Sequence, residues 1–405
     1  MVQTSPWICC QLGAREHYAI PRSLARSGHL ATLITDAWVP PQSTWHRLPL
    51  PSPKPLQERF HPELNQSPVY AFNRSLLCFE LIQRSRKTPE WSRIIARNHW
   101  FQQQAVQKLH QLKLSSSSCP TLFAYSYAAL DLLRYAKAQG WQTVLGQIDP
   151  GPIEEAIVAA EHTRHAPQGI WHPAPAHYWQ AWQAECALAD RIIVNSDWSR
   201  QALKQAGITT AKIEVIPLAY DQPEPSKNWV RTYPAQFSSQ RPLRVLFLGQ
   251  VILRKGITAI LEAADRLLNE PIEFYFVGMP GILNSSLHQP KTHWLGAVSR
   301  SETDLYYQNA DIFLFPTLSD GFGLTQLEAQ AWKLPIISSR FCGAVVKDQV
   351  NGWVLPEVTG TAIAQILQQC LHNPALLTLF SQQSSVTPEF SLNQLSAQLV
   401  ASPMR

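Results

Sequence analysis

Leu246-Phe247-Leu248-Gly249-Gln250-Val251-Ile252-Leu253-Arg254-Lys255-Gly256-Ile257 reads as a buried strand that stops at Gly249, a loop presenting two cations, and the start of a helix. Working outward, the same rhythm repeats. Apolar runs at 243–248, 272–277, 312–315, 335–338 and 353–355 alternate with helical stretches at 257–268, 301–308 and 324–332. Short apolar runs separated by helices are what a parallel sheet covered on both faces requires. Ser301 with Asp304 resembles a capping box for one of these helices.

The first half carries an independent copy of the rhythm. Runs at 7–10, 31–35, 121–125, 143–145, 191–194 and 213–216 predict strands, with helices at 15–26, 71–112, 128–137 and 199–205. Pro21 predicts a kink or a late start in the first helix, and Pro89 a break in the long one. Residues 39–70 are Pro-rich and aperiodic, a long loop or insertion. Pro223, Pro225, Pro234 and Pro242 mark a linker. The expected organisation is an α/β chain with an acceptor-side domain over 1–220, a linker over 221–242, a second domain over 243–385, and a C-terminal helix over 386–405 packed back on the first domain. Two doubly wound domains in series bind ligands at the carboxyl ends of their strands, in the cleft between them.

Bulk properties narrow the class. A 405-residue chain that is 45% hydrophobic is globular and long enough for two domains. No apolar run is long enough for a membrane helix, and no signal peptide is evident after Met1. The seven cysteines form no C-x-x-C pair, which points to a reducing, cytoplasmic location rather than to disulfides or zinc. A net charge of +5 suits an anionic substrate or surface and does not suggest nucleic acid.

A second stretch sharpens the chemistry: Ser319-Asp320-Gly321-Phe322-Gly323-Leu324-Thr325-Gln326-Leu327-Glu328-Ala329. Two glycines follow a strand and open a helix, where backbone N–H groups and the helix dipole favour an anion. Glu328 on the first turns of that helix can accept hydrogen bonds from a ribose diol, and Asp320 from sugar hydroxyls. Arg254 and Lys255 suit a diphosphate. Alone, the Arg254-Lys255 stretch reads better as an ordinary solvated loop, and a single Gly-x-Gly is weak evidence beside an ordinary Gly-rich turn; together, in one α/β domain, they form one candidate donor site.

With these residues in view, the chain resembles the family-4 retaining glycosyltransferases of the GT-B fold. Lys255-Gly256 matches the family's Lys-Gly element, Asp320 and Glu328 its two acidic positions eight apart, and Phe322-Gly323-Leu324 the segment whose backbone binds phosphate. Residues 189–196 and 213–218 look like the end of its N-terminal domain, and 39–110 fit least. The resemblance implies two Rossmann-like domains facing a central cleft. It also implies transfer of a hexose from a nucleotide-sugar to a saccharide, lipid or small-molecule hydroxyl, with retained anomeric configuration and no metal or other cofactor. Lys255, Arg254, Asp320 and Glu328 would be catalytic, and Gly249, Gln250, Phe322, Gly323, Leu324 and Thr325 would bind the donor. Gln250 replaces the family's usual Arg and Asp320 its usual Glu, so Arg254 is expected to supply the missing cation. A non-catalytic scaffold, a sugar-nucleotide epimerase or a glycosyl phosphorylase would use the same fold.

In the first half, Gly13, Arg15, His17 and Asp149 are the acceptor candidates. Arg15 and His17 are equally exposed helix-start residues, and Asp149 before Pro150-Gly151 is equally a turn residue. His162, His165, His172 and His177 lack zinc spacing, and the prolines among them read as loop. Residues 72–100 mix Arg74, Arg84, Arg86, Lys87, Arg93 and Arg97 with apolar residues, which suits a core-facing helix with a basic outer face, or docking on anionic lipid.

Overall fold

The computed structural model describes residues 5–43, 59–112, 119–165, 171–281 and 290–401. Part of the Pro-rich 39–70 stretch, Pro167 and residues 402–405 lie outside them. Two parallel sheets organise the chain. The first holds β1 (Trp7–Gln11), β2 (Leu30–Thr35), β3 (Val69–Ala71), β4 (Thr121–Tyr125), β5 (Gln142–Gly146), β6 (Arg191–Val194) and β7 (Ile213–Val215), in the order β3-β2-β1-β4-β5-β6-β7. The second holds β8 (Leu243–Leu248), β9 (Ile272–Val277), β10 (Thr292–Gly296), β11 (Ile312–Phe315), β12 (Ile336–Ser339) and β13 (Gly352–Leu355), in the order β10-β9-β8-β11-β12-β13. Every residue of β1, β4, β11 and β12 is buried, because helices cover both faces. Each fully buried Leu, Ile, Val or Phe contributes about 1.5–3 kcal/mol.

Strand order reverses between β1 and β4 in one sheet and between β8 and β11 in the other. The loops leaving these strands therefore splay apart and open a crevice at the carboxyl ends. The two domains turn these ends toward each other. Ser319 and Gly321, after β11, meet Trp198 and Ser199 of the helix Asp197–Gln205, with Trp198 Nε1 donating to Ser319 Oγ at 3.1 Å.

Several local expectations change. β3 and β10 were absent from the sequence reading; both are short edge strands. Helices Pro152–His165 and Ala176–Leu188 place His162, His165 and His177 on helices rather than in a loop. The capping box on helix Arg300–Asn309 is Ser299 with Glu302, not Ser301 with Asp304. The first helix starts late, at Ala19, with Pro21 inside its first turn. Before it, Glu16, His17 and Tyr18 are all left-handed, with φ of 51°, 53° and 60°, a costly run for three side-chain-bearing residues.

The segment 221–242 is a structured strap rather than filler. Phe237 lies in the core of the second domain, and the buried Arg231 guanidinium donates to the carbonyls of Tyr307, Gln308, Ala310 and Trp332. These oxygens end the helices Arg300–Asn309 and Thr325–Ala331, where a cation both satisfies orphan carbonyls and opposes the dipole. The chain crosses back after Val386. Helix Leu392–Ala401 then packs on helix Ala19–Arg26, burying Leu392, Leu395 and Leu399 in the first domain's core. Tyr220 N–H donates to Phe390 C=O at 2.8 Å, so the outgoing and returning crossings touch.

Candidate functional site

The cations of the decisive stretch sit where β8 ends. Leu253–Lys255 forms one 3-10 turn, and Gly256, at φ 74°, reverses into helix Ile257–Arg266. A Cβ on Gly256 would stand 2.0 Å from Pro316 O, so the turn presses on the loop after β11. That contact brings Lys255 against the Asp320 carboxylate, an ion pair with both side chains largely buried. Arg254 lies 4.0 Å from the same carboxylate and donates to Ser319 C=O. Burial alone would raise the Asp320 carboxyl, but Lys255 and Arg254 outweigh it and hold it below its ordinary range.

The neighbouring residues divide into backbone and side-chain roles. Phe322 packs its ring with Leu218, Leu327, Val345 and Phe390, while its N–H donates to Asp320 Oδ1 at 3.4 Å. The N–H groups of Gly323, Leu324 and Thr325 bond to no described residue. Glu328 accepts a 2.8 Å bond from Tyr307 OH, and burial raises its carboxyl. Gly249 follows β8 with its carbonyl against Gly278, and Gln250 is exposed.

The acceptor candidates other than Gly13 fall into two cavities. Arg15 and Asp149 line one of about 150 Å³ within the first domain, with Phe101, Tyr125, Tyr127 and Tyr178. Arg15 lies over the Tyr125 ring at 5.7 Å. Asp149 Oδ1 accepts from Gly151 N–H at 2.8 Å and from Tyr127 OH, so it is both a turn residue and part of the cavity wall. His17 lines a second cavity, of about 240 Å³, that bridges the domains and includes Glu16, Tyr220, Arg300 and Leu324. His17 Nδ1 meets Arg300 across the cleft. Burial and the neighbouring Arg300, Arg22 and His61 push this imidazole down to about 3, leaving it neutral. Gly13 lines neither cavity; its N–H is bonded to Asp36 Oδ1 at 2.9 Å. His162 stacks on Trp171.

Four participants escaped the sequence reading: Glu154, Trp198, Arg300 and Tyr307. Each meets its partner from a distant segment. Glu154, two residues into a helix opened by Pro152, reads locally as an ordinary N-terminal helix charge.

Residues 242–373 match the family model described as glycosyl transferases group 1. This part of the chain resembles a group 1 glycosyltransferase domain. The matched stretch contains Arg254, Lys255, Asp320 and Glu328. The chain is 27% identical over 172 residues to the amylovoran biosynthesis glycosyltransferase AmsK of Erwinia amylovora, covering 37% of this chain and 42% of that one. It is 25% identical over 246 residues to a D-inositol 3-phosphate glycosyltransferase of Kineococcus radiotolerans, covering 53% and 56%. The aligned regions thus span about half the length of these curated relatives. Anabaena HepE in complex with UDP-glucose superposes with TM-score 0.62 at 16% identity, covering 98% of this chain and 100% of that one. The catalytic domain of starch synthase IV from Arabidopsis thaliana, bound to ADP and acarbose, superposes with TM-score 0.67 at 12% identity and 98% coverage of both. The two domains together have the GT-B fold.

The second domain's backbone comes close to the first domain's at Gly321, where a Cβ would lie 2.4 Å from Ile148 O. Backbone faces backbone there, so Gly321→Ala is expected to wedge the cleft open at a cost of about 1–3 kcal/mol. Small-angle scattering reads this as a larger radius of gyration, with the circular dichroism of each domain unchanged.

Proposed function

We propose that this protein transfers a hexose from a nucleotide-sugar to a hydroxyl acceptor, with retention of anomeric configuration. The observation that carries the reading is the convergence of Arg254, Lys255 and Asp320 at the carboxyl ends of β8 and β11, opposite the first domain's loops. Lys255 and Arg254 stabilise the departing nucleoside diphosphate, fixed charges aimed at charge that develops in the transition state. The N–H groups of Gly323, Leu324 and Thr325 assist them. Glu328, held by Tyr307, takes the ribose diol, and Asp320 orients the sugar. Protein cations carry the charge compensation, a role that requires no metal cofactor. HepE and starch synthase IV, whose structures hold UDP-glucose and ADP, share this fold, which supports a nucleotide-sugar as the donor class.

The acceptor enters from the first domain. Its aromatic cavity with Arg15 and Asp149 suits a polyhydroxylated ring, which buries apolar faces on tyrosines and offers hydroxyls to a carboxylate. His17, in the cavity that bridges the domains, completes the acceptor side together with Gly13. All seven cysteines are unpaired, which fits work in a reducing, cytoplasmic compartment.

The helices Asn73–Ser85 and Glu90–Gln111 give a peripheral partner. Leu81, Ile82 and Ile94 are exposed beside the exposed Arg74, Arg84, Arg86, Lys87 and Arg93, which suits an anionic membrane surface. Among the described residues no helix is long and apolar enough to cross a membrane. The transfer reading is tested by presenting a panel of nucleotide-sugars with simple glycoside acceptors and reading the product by NMR. A product with the donor's anomeric configuration is expected; an inverted product overturns retention, and no binding of any nucleotide-sugar overturns the donor assignment. Salt-insensitive sedimentation with anionic vesicles would remove the membrane partner.

A further inference from the structure

One of the two cations at the end of β8 is already held by a carboxylate from the opposite domain. Glu154 stands on the first turn of helix Pro152–His165. Its Oε2 lies 3.4 Å from Arg254 Nη1 and accepts a 2.8 Å bond from Ser319 Oγ. Ser319 Oγ in turn accepts from Trp198 Nε1 at 3.1 Å, so two residues of the first domain grip the same hydroxyl of the second. The side chains of Glu154 and Arg254 are only 15% and 18% exposed. The charged groups facing Glu154 are Arg254 and Asp320 from the second domain and Asp149 from the loop before its own helix. Lys255 faces the same cluster through Asp320.

A carboxylate offers a guanidinium the same pair of acceptor oxygens that a phosphate does. We propose that Glu154 stands in for a donor phosphate on Arg254 while the cleft is empty, and that the incoming donor displaces it. This rests on the reading of the cleft as a nucleotide-sugar site. Charge balance supports displacement. Asp149, Glu154 and Asp320 already outnumber Arg254 and Lys255, so a diphosphate adds negative charge to a cluster that has no positive charge to spare. The cluster admits it at least cost when Glu154 leaves Arg254 or takes a proton.

Burial supplies the means for the second route, pushing the Glu154 carboxyl up to about 7; Arg254 opposes this, and Asp149 adds to it. The sign follows. Below about pH 7 Glu154 is neutral, Arg254 is released, and the donor binds tightly. Above it the carboxylate competes and donor affinity falls. By linkage, the donor must raise the proton affinity of Glu154 in return, so binding takes up a proton near neutrality. A nucleotide-sugar is the right probe because its phosphates are diesters. A terminal phosphate monoester would titrate at about pH 6 and confuse the profile.

The test is calorimetric titration of the full chain with UDP-glucose, ADP-glucose and GDP-mannose at about pH 6, 7 and 8, in buffers of different ionisation enthalpy. The wild type is expected to lose about tenfold in affinity from pH 6 to pH 8, with proton uptake on binding. Glu154→Gln is expected to bind about tenfold more tightly than wild type at pH 8, with a flat profile. A residue that merely supports the fold would do the opposite and weaken binding on substitution. A flat wild-type profile without proton uptake, or weaker binding by Glu154→Gln at pH 8, overturns the proposal and leaves the donor site standing. The wild-type profile alone decides if the variant does not fold. Failure of the wild type to bind any of the three at any pH overturns the donor-site reading and this proposal with it.

Discussion

Lys255→Ala is expected to slow transfer from a nucleotide-sugar by about 100- to 1,000-fold, the loss typical of one fixed electrostatic group at a reacting centre. It is also expected to destabilise the protein by about 3 kcal/mol at neutral pH. Asp320 is deeply placed, and without Lys255 its nearest cation is Arg254 at 4.0 Å; removing one partner of a buried pair leaves the other charge uncompensated. The pH dependence identifies the cause. The folded Asp320 carboxyl is held low, net of burial, by Lys255 and Arg254. Its contribution is therefore fully present above the unfolded value of about 4 and is lost as pH falls through the folded value. In Lys255→Ala burial prevails, the carboxyl rises, and the contribution is missing at neutral pH. Urea unfolding should show the gap between wild type and variant narrowing from about pH 7 toward about pH 3. A gap that does not change with pH would assign the loss to packing instead. Turnover per folded molecule separates the chemical defect from the structural one.

Arg231→Met has the largest expected effect on stability alone, about 3–5 kcal/mol. Methionine fills much of the arginine's volume but donates nothing to the carbonyls of Tyr307, Gln308, Ala310 and Trp332. These stay buried, and each unsatisfied acceptor costs free energy. The loss also reaches the cleft. The two helices that Arg231 closes carry Arg300, Tyr307 and Glu328. Their ends should exchange amide protons faster in the variant, while protection in the first domain stays as it was. Uniform loss of protection over both domains would contradict this picture.

The central strands were legible because both of their faces are buried, which forces a continuous apolar run such as Ile312–Phe315. The edge strands were not. Val69–Ala71 is only half buried throughout, and Thr292–Gly296 carries Thr292, His293 and an exposed Leu295; an edge with one neighbour imposes no such run. The strap around Arg231 was hidden for a related reason, because prolines and polar residues describe its backbone but not the four carbonyls it reaches. At the candidate site, the Lys255–Asp320 pairing was prefigured by two local motifs at strand ends. The Glu154–Arg254 pair joins residues a hundred positions apart, and neither residue departs from what a helix start or a loop ordinarily carries. The left-handed Glu16-His17-Tyr18 run was equally silent, since no glycine marks it.

The paired crossings between the domains govern how the cleft can move. A single connecting strand is a ball joint that lets one body twist and swing freely. Here two strands pass side by side and are tied by the Tyr220–Phe390 bond, which makes a door hinge instead. Rotation about their common axis leaves that bond intact, while twist and sliding would break it and tear Phe390 from Leu218 and Phe322. A door travels furthest at the edge away from its hinge. A small angular change at Tyr220 and Phe390 thus becomes the largest displacement wherever the two facing surfaces lie farthest from that axis.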